Sequence, residues 1–321
     1  MHTALRAAVA GLALLLAPPA GAQAYPDKPV RIIVPFPPGA TIDFLARLLA
    51  QKLGEDWGVN VFVENKSGAG GIVGIDAAAK SMPDGYTFVC VANSFAANPV
   101  LRKDLPYDTF KDLAPVTLVG VTPHVLVAFP ALPANTVTEL VAYAKQQPGK
   151  VTYASFGSGT TPHLAGETLK SMAGIDIVHV PYRGQIPALA DVMAGQVSMT
   201  FGNLPDVMPQ VAARKLKALA IATLQRSALA PELPTLGEAG LPGFTSDSWF
   251  GIAAPAKTPP AAIRKMQTQV ADILRRPDVK SRLHTAGVEP SGNTPEQFGT
   301  FLQEQMAKYA AIIKAAGIKA E

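Results

Sequence analysis

Three loops in this sequence place backbone amides and hydroxyl groups where a helix begins, an arrangement that binds anions. The first N–H groups of a helix have no acceptor within it, and the helix dipole adds about half a positive charge there. Such a loop holds a negative group without any charged side chain. The loops are residues 35–43 (PFPPGATID), 155–162 (SFGSGTTP) and 182–187 (YRGQIP), the last followed by residues 201–203 (FGN) one strand later.

The first loop combines a stiff turn with a capped helix start. Gly39 permits a sharp turn and close approach of a ligand. Thr41 is the predicted N-cap, and Asp43 in the first turn complements the dipole. An ordinary strand-to-helix connection explains the same residues, although the fixed dihedrals of Pro37 and Pro38 favour a stiffer element.

The second loop is rich in glycine and hydroxyl groups. Pro162 suits the first helical position, which makes Thr161 the predicted N-cap. The glycines leave room for a ligand, and the hydroxyl groups can donate hydrogen bonds to it. The residues that would contact the ligand here are Gly157, Ser158, Gly159 and Thr160.

The third region adds Tyr182, Gln185 and Asn203 as candidate contacts. Arg183 has a planar fork that pairs with carboxylates, but it is equally well explained as a surface arginine in a turn. Ser94, directly after a predicted strand, is a further candidate from another part of the chain.

Cofactor and metal chemistry have little support in the sequence. The run GAGGIVG at residues 68–74 fails the G-x-G-x-x-G spacing because Val73 stands at the third glycine, and no phosphate-binding Gly-Lys-Ser/Thr motif occurs. The histidines lack metal-site spacing such as H-E-x-x-H. We therefore expect no cofactor and no metal.

Catalysis is the alternative that remains open. Ser158 has glycines on both sides but lies outside any G-x-S-x-G elbow. A secreted serine hydrolase using Ser158 would need a histidine and an acid to converge on that serine in the fold.

The N-terminus is typical of an export signal. Residues 1–24 carry one cation, Arg6, then the apolar run AVAGLALLLA (8–17), then small residues that predict cleavage after Ala22 or Ala24. The apolar run is too short to span a membrane. No cysteine stands near the cleavage site to carry a lipid, so we expect a soluble periplasmic protein.

Composition narrows the class of the exported chain. Loss of Arg6 lowers the net charge from +4 to +3, and no run of basic residues predicts nucleic-acid binding. Cys90 is the only cysteine and lies in an apolar run, so we interpret it as a core residue. Beyond residue 24 no apolar stretch is long enough for a membrane span.

Short strands alternate with amphipathic helices along the chain, a pattern that predicts an α/β fold with a mostly parallel sheet. Residues 116–128 and 246–254 are apolar but lack a following helix, and we interpret them as paired crossover strands. Residues 25–124 and 247–321 would then form lobe 1, and residues 125–246 would form lobe 2.

The loops described above also resemble a known family. The sequence is similar to the Bug-type periplasmic solute-binding proteins of tripartite tricarboxylate transporters over nearly all of the exported chain. The matching blocks are YPDKPVRIIVPFPPGATID (25–43), VENKSGAGGIVGIDAAAKSMPDGYTF (63–88), LPYDTFKDLAPVTLV (105–119), YASFGSGTTPHLAGE (153–167), VHVPYRGQIPALADVMAGQV (178–197), LPTLGEAGLPGF (233–244) and SWFGIAAPAKTP (248–259).

The resemblance implies a type II periplasmic-binding fold whose two α/β lobes, joined by two crossover strands, close on a ligand. It implies a binding protein, not an enzyme, that holds a carboxylate through backbone amides and ordered water. It also implies delivery of the ligand to membrane permease subunits; we expect a monomer. The carboxylate contacts map to Gly39, Ala40 and Thr41 in one lobe, and to Ser158, Gly159 and Thr160 in the other.

Three positions depart from the family pattern: Ala40 often has glycine, Gly202 often has aspartate, and Gln185 often has a small residue. The missing acid at Gly202 favours a plain mono- or dicarboxylate over an amino acid. Phe36, Phe95 and Trp249 suggest an aromatic ligand or simply core positions. Beyond the carboxylate, we expect Gln185, Asn203 and Ser94 to set specificity.

Overall fold

Alternating strands and helices make up residues 25–318, the part of the chain that this computed structural model describes. The predicted export signal and its cleavage site lie outside the described residues.

Strands and helices alternate along the chain as the sequence pattern predicts. The strands are β1 (Val30–Val34), β2 (Val61–Asn65), β3 (Thr87–Ala92), β4 (Leu113–Ala128), β5 (Val151–Ser155), β6 (Ile177–Pro181), β7 (Met199–Asn203), β8 (Lys217–Ile221), β9 (Asp247–Pro255) and β10 (Glu289–Pro290). The helices are α1 (Thr41–Trp57), α2 (Ile72–Ala79), α3 (Ser94–Leu101), α4 (Val137–Gln146), α5 (Thr161–Ala173), α6 (Gln185–Met193), α7 (Leu204–Ala212), α8 (Pro260–Arg275), α9 (Pro277–Thr285) and α10 (Pro295–Ala316). Helix α3 is the one that the sequence pattern did not predict, because it is short and contains Pro99.

The strands form one continuous sheet in the order β2-β1-β3-β9-β4-β7-β5-β6, with β8 and β10 paired to β4. The pairs β1–β2, β1–β3, β5–β6 and β5–β7 are parallel. Strands β4 and β9 run antiparallel to their neighbours. The expectation of a mostly parallel sheet is therefore wrong, because it overlooked that the crossover strands join the sheet.

The two crossover strands are confirmed. Strand β9 pairs with β4 from Leu113↔Pro255 to Pro123↔Asp247. The next residue of β4, His124, already pairs with Asn203 of β7. The chain thus leaves one α/β lobe along β4 and returns along β9, which gives the two-lobed fold that the resemblance implied.

Each lobe has its own apolar core on both faces of its strands. Strands β1, β3 and β9 and helices α1, α8 and α10 bury the core residues of the first lobe. Strands β5, β7 and β8 and helices α4 to α7 bury those of the second. Cys90 lies in the first core as predicted, and burial raises the pKa of its thiol to about 12, so it stays protonated.

A buried tyrosine ties the last helix to the crossover. The Tyr309 hydroxyl of α10 accepts hydrogen bonds from Asn93 Nδ2 at 2.7 Å and from Trp249 Nε1 at 3.2 Å. Asn93 Oδ1 in turn accepts from the Trp249 backbone N–H at 3.0 Å. Trp249 is fully buried, so this aromatic belongs to the core.

Replacing Tyr309 with phenylalanine should destabilise the protein without changing its fold. The variant Tyr309→Phe leaves two buried N–H donors without an acceptor, which costs about 1–3 kcal/mol of unfolding free energy. Urea denaturation followed by tryptophan fluorescence measures the loss. The control is Tyr143→Phe, because Tyr143 is only half-buried and packs against the core of the other lobe; equal stability of both variants would contradict the prediction.

Candidate functional site

A cavity lies between the two lobes and receives residues from both. It holds about 510 Å³ of empty space, which includes the part open to solvent. Its walls are formed by Phe36, Pro37, Ala40, Ile42, Ala92, Asn93, Ser94, Phe156, Thr160, Thr161, Pro162, Gln185, Ile186, Asn203, Ser248 and Phe250.

Five helices begin at this cavity. Ala40, Asn93, Thr160 and Asn203 are the N-caps of α1, α3, α5 and α7, and all four line the wall. Gln185, also in the wall, is the first residue of α6. None of the residues that line the cavity is Lys, Arg, His, Asp or Glu. The peptide dipoles at these helix starts favour an anion.

The start of α1 differs from the prediction. The N-cap is Ala40, and Thr41 is the first helical residue. The Gly39 N–H donates to Asp43 Oδ2 at 3.1 Å, while the backbone N–H and the hydroxyl of Thr41 both donate to Asp206 Oδ2, at 3.4 and 2.6 Å. The predicted donors of Gly39 and Thr41 are thus engaged by carboxylates of the protein itself.

The hydrogen-bond donors of the loop before α5 are also largely paired with acceptors of the protein itself. The Gly157 N–H donates to Ser155 Oγ at 3.2 Å, and the Gly159 N–H donates to His163 Nδ1 at 3.1 Å. The Thr160 hydroxyl donates to the Gly157 carbonyl at 2.6 Å. The N-cap is Thr160 and not Thr161, because the helix begins one residue earlier than Pro162 indicated.

Buried polar side chains in the wall have hydrogen-bonding capacity that the described part of the protein does not use. Ser94, Gln185 and Asn203 are each at most 4% exposed. The atoms Ser94 Oγ, Gln185 Nε2, Gln185 Oε1 and Asn203 Oδ1 have no hydrogen-bond partner among residues 25–318. An unsatisfied buried polar group costs about 1–3 kcal/mol, so these atoms are suited to a bound solute.

The structure brings together about half of the predicted contacts. The predicted residues that line the cavity are Phe36, Ala40, Ser94, Thr160, Gln185 and Asn203. The predicted residues outside its wall are Gly39, Thr41, Phe95, Gly157, Ser158, Gly159 and Tyr182.

The side chains outside the wall have other contacts. Phe95 is 1% exposed and packs in the core of the first lobe. The Tyr182 hydroxyl donates to Asp191 Oδ2 at 2.6 Å. Arg183 is exposed and does not line the cavity.

Several wall residues were not predicted from the sequence, and one of them had a readable signal. Asn93 directly follows β3 and caps α3, much as Asn203, the last residue of β7, caps α7. Ser248 and Phe250 lie on β9, where the sequence pattern indicated only a crossover strand.

The crossover contributes a neutral histidine behind Ser248. The two ring nitrogens of His124 lie 2.8 Å from Ser246 Oγ and 2.8 Å from Ser248 Oγ. Burial lowers the pKa of His124 to about 3, so the ring carries no charge at neutral pH.

The lobes touch across the cavity entrance. A Cβ added to Gly184 of the second lobe would lie 2.6 Å from Pro37 Cδ of the first. A Cβ added to Gly70 of the first lobe would lie 2.8 Å from the Ser158 carbonyl oxygen of the second. The structure therefore represents a closed arrangement.

A family model described as the tripartite tricarboxylate transporter family receptor matches residues 45–318. The chain belongs to this receptor family. Protein BugT of Bordetella pertussis is 36% identical over 306 residues, which are 95% of this chain and 94% of BugT.

Solved structures of the family superpose on both lobes. Rhodopseudomonas palustris Rpa4515 with adipate has a TM-score of 0.90 and 34% identity, covering 92% of this chain and 100% of that chain. MatC of the same organism, with bound malate, has a TM-score of 0.85 and 29% identity, covering 90% and 100%. As a member of this family, the protein is a periplasmic solute-binding protein with the type II two-lobed fold.

Two findings concern the described residues only. No helix within residues 25–318 is long and apolar enough to cross a membrane. Within the same residues, no three His, Cys, Asp or Glu side chains are grouped so as to hold a metal ion.

Asp206 is a buried carboxyl group beside the receptor's cleft. Besides its bonds from Thr41, its Oδ2 accepts from Asn203 Nδ2 at 3.3 Å. Burial raises the pKa of this carboxyl from 3.8 to about 6, outweighing the hydrogen bonds that lower it.

Replacing Asp206 with asparagine should change how stability depends on pH. The folded-state pKa lies above the unfolded value, so ionisation disfavours the folded state as pH rises from about 4 to about 6. The unfolding free energy of the wild type, relative to Asp206→Asn, should fall by up to about 3 kcal/mol over that interval. Urea denaturation of both proteins at pH 4, 5, 6 and 7 measures the difference, and parallel pH profiles would refute it.

Proposed function

We propose that this protein captures a small organic carboxylate between its lobes and delivers it to the permease subunits of a tripartite tricarboxylate-type transporter. The observation that carries the proposal is the start of five helices at one cavity whose wall has no charged side chain. Helix starts of this kind attract a negative group through their peptide dipoles, without a cationic side chain in the wall.

The carboxylate is held more strongly in a closed cleft than at an exposed helix end. One helix terminus contributes about 0.3–1 kcal/mol at a solvated surface and up to about 2 kcal/mol when partly buried. Several termini act together here, and closure removes the water that would screen them.

The rest of the ligand would contact both apolar and polar side chains of the cavity wall. Phe36, Phe156 and Phe250 offer apolar surface, whereas Ser94, Gln185 and Asn203 offer unused hydrogen-bonding atoms. Adipate in Rpa4515 and malate in MatC support the carboxylate class for this chain.

In this proposal, binding of the ligand is coupled to closure of the two lobes. Residues 25–124 and 247–321 move as lobe 1, residues 125–246 move as lobe 2, and β4 with β9 forms the hinge. Contacts across the entrance exist only in the closed state, so the ligand stabilises that state by binding both lobes. The mature receptor, cleaved after Ala22 or Ala24, acts as a periplasmic monomer. None of the comparisons supports the serine hydrolase alternative.

Saturable binding of an organic acid without turnover is the first expected outcome. A thermal-shift screen of organic acids identifies the ligand, because a compound that binds only the folded state raises the melting temperature. Isothermal titration calorimetry then gives its affinity, and NMR of the recovered compound tests for reaction. A new product that disappears in Ser158→Ala would contradict the proposal.

Removing the Gln185 amide should weaken that binding. The variant Gln185→Ala loses a buried side chain whose nitrogen and oxygen are both unused, so we expect a loss of about 1–3 kcal/mol, or roughly 5- to 150-fold in Kd. Gln51→Ala is the control, since Gln51 is exposed on α1 and bonds Glu55. Equal affinities of the two variants would remove Gln185 from the site.

A methyl group at the cleft entrance should oppose closure. Gly184 has extended backbone dihedrals that any residue adopts, so Gly184→Ala meets only Pro37 across the cleft. We expect at least about tenfold weaker binding with an unfolding free energy unchanged to within about 1 kcal/mol.

The matched control for Gly184→Ala is Gly237→Ala. A Cβ at Gly237 meets nothing nearer than Thr235 Oγ1 at 3.5 Å, within its own lobe. Unchanged affinity in Gly184→Ala would show that the observed contact between lobes is not required for binding.

A further inference from the structure

One of the five helix starts at the cavity is already occupied by an anion that belongs to the protein. Asp206, in the first turn of α7, extends across the cleft to the start of α1. Its Oδ2 accepts both the backbone N–H and the hydroxyl of Thr41. These donors are therefore not available to a ligand carboxylate that approaches Ala40, and the negative charge of Asp206 would repel it.

The neighbouring Asn203 indicates which ligand groups can bind at this part of the wall. Its Nδ2 donates to Thr41 Oγ1 and to Asp206 Oδ2, both at 3.3 Å. Because a carboxylate oxygen only accepts, the amide nitrogen must face Asp206. Asn203 Oδ1 is an acceptor with no partner at hydrogen-bond geometry among the described residues, although the neighbouring His124 ring interacts with the Asn203 side chain.

An acceptor beside a buried carboxylate repels a second ligand carboxylate and attracts a neutral O–H or N–H donor. No cationic side chain lines the cavity to compensate a second negative charge. Like charges in such a poorly solvated site disfavour each other strongly. The other helix starts, with Ser94 and Gln185 beside them, keep their unused groups for the first carboxylate.

We propose that Asp206 is a specificity-determining residue that limits the ligand to one carboxylate and requires a neutral hydrogen-bond donor at its other end. This inference rests on the proposed function and narrows its ligand class. Adipate and malate, bound by Rpa4515 and MatC, each carry two carboxylates, so this chain departs from those two relatives.

The test compares matched compounds that differ only at the second end. The pairs are 4-hydroxybutanoate and succinate, 5-hydroxypentanoate and glutarate, and 6-hydroxyhexanoate and adipate, titrated calorimetrically into the full receptor at pH 7.5. For the pair that binds most tightly, the wild type should prefer the hydroxy acid by at least about tenfold. In Asp206→Ala the preference should shrink to about threefold or reverse, because Thr41 and its amide become available to the second carboxylate.

Asp206→Asn is the matched control for charge. It keeps an oxygen that accepts from Thr41 but removes the negative charge, so the preference should fall between those of the wild type and Asp206→Ala. It is nearly isosteric and carries the test if Asp206→Ala fails to fold, as judged by circular dichroism and melting temperature.

Three results would overturn the inference. They are a wild type that prefers the dicarboxylates, a preference that neither Asp206 variant changes, and binding of none of these six compounds. In each case the proposed function stands if any other organic carboxylate binds saturably, and it fails separately if none does.

Discussion

The direction in which the strands run places the peptide dipoles that we propose hold the ligand. Each of the five helices at the cavity directly follows a strand: α1 follows β1, α3 follows β3, and α5, α6 and α7 follow β5, β6 and β7. Within each lobe these strands are parallel, so their carboxyl ends meet at one edge of the sheet. The double crossing of β4 and β9 turns the two edges toward each other. A single strand reversed would point its helix away from the cleft.

The unsatisfied polar atoms in the cavity wall lower the stability of the protein, which indicates that they serve the binding of a ligand. Ser94, Gln185 and Asn203 are buried with unused atoms, although an alanine at each position would remove the penalty. His124 is also buried and stays neutral. Its two ring nitrogens hydrogen-bond Ser246 and Ser248, so it fixes these side chains without adding a charge. The cleft thus avoids charge in its lining, while Asp206 carries a carboxyl with raised pKa just behind the wall.

The sequence predicted what depends on local pattern and missed what depends on distant contacts. Alternating strands and helices, and the two apolar stretches without helices, predicted the lobes and the crossover. Ala40, Thr160 and Asn203 line the cavity, although the sequence pattern placed the helix caps at Thr41 and Thr161, one residue later than the structure has them. Thr41 was assigned to the ligand because its partner, Asp206, is 165 residues away along the chain. Phe95 was misjudged because α3 was not predicted, so the side of the helix that Phe95 occupies was unknown.

The continuous sheet limits how this receptor can open. Hydrogen bonds join β4 to β9 on one side and to β7 on the other, so sliding of the lobes would break an entire ladder. Bending and twisting of β4 and β9 leave those bonds intact, and displacement then grows with distance from the strands. If the receptor opens by such bending, Ser248 and Phe250, on β9 itself, would shift least, and Pro37 and Gly184, which meet across the cleft, would separate more. In the proposed capture, the floor of the cleft would then stay fixed while a solute enters and the rim moves.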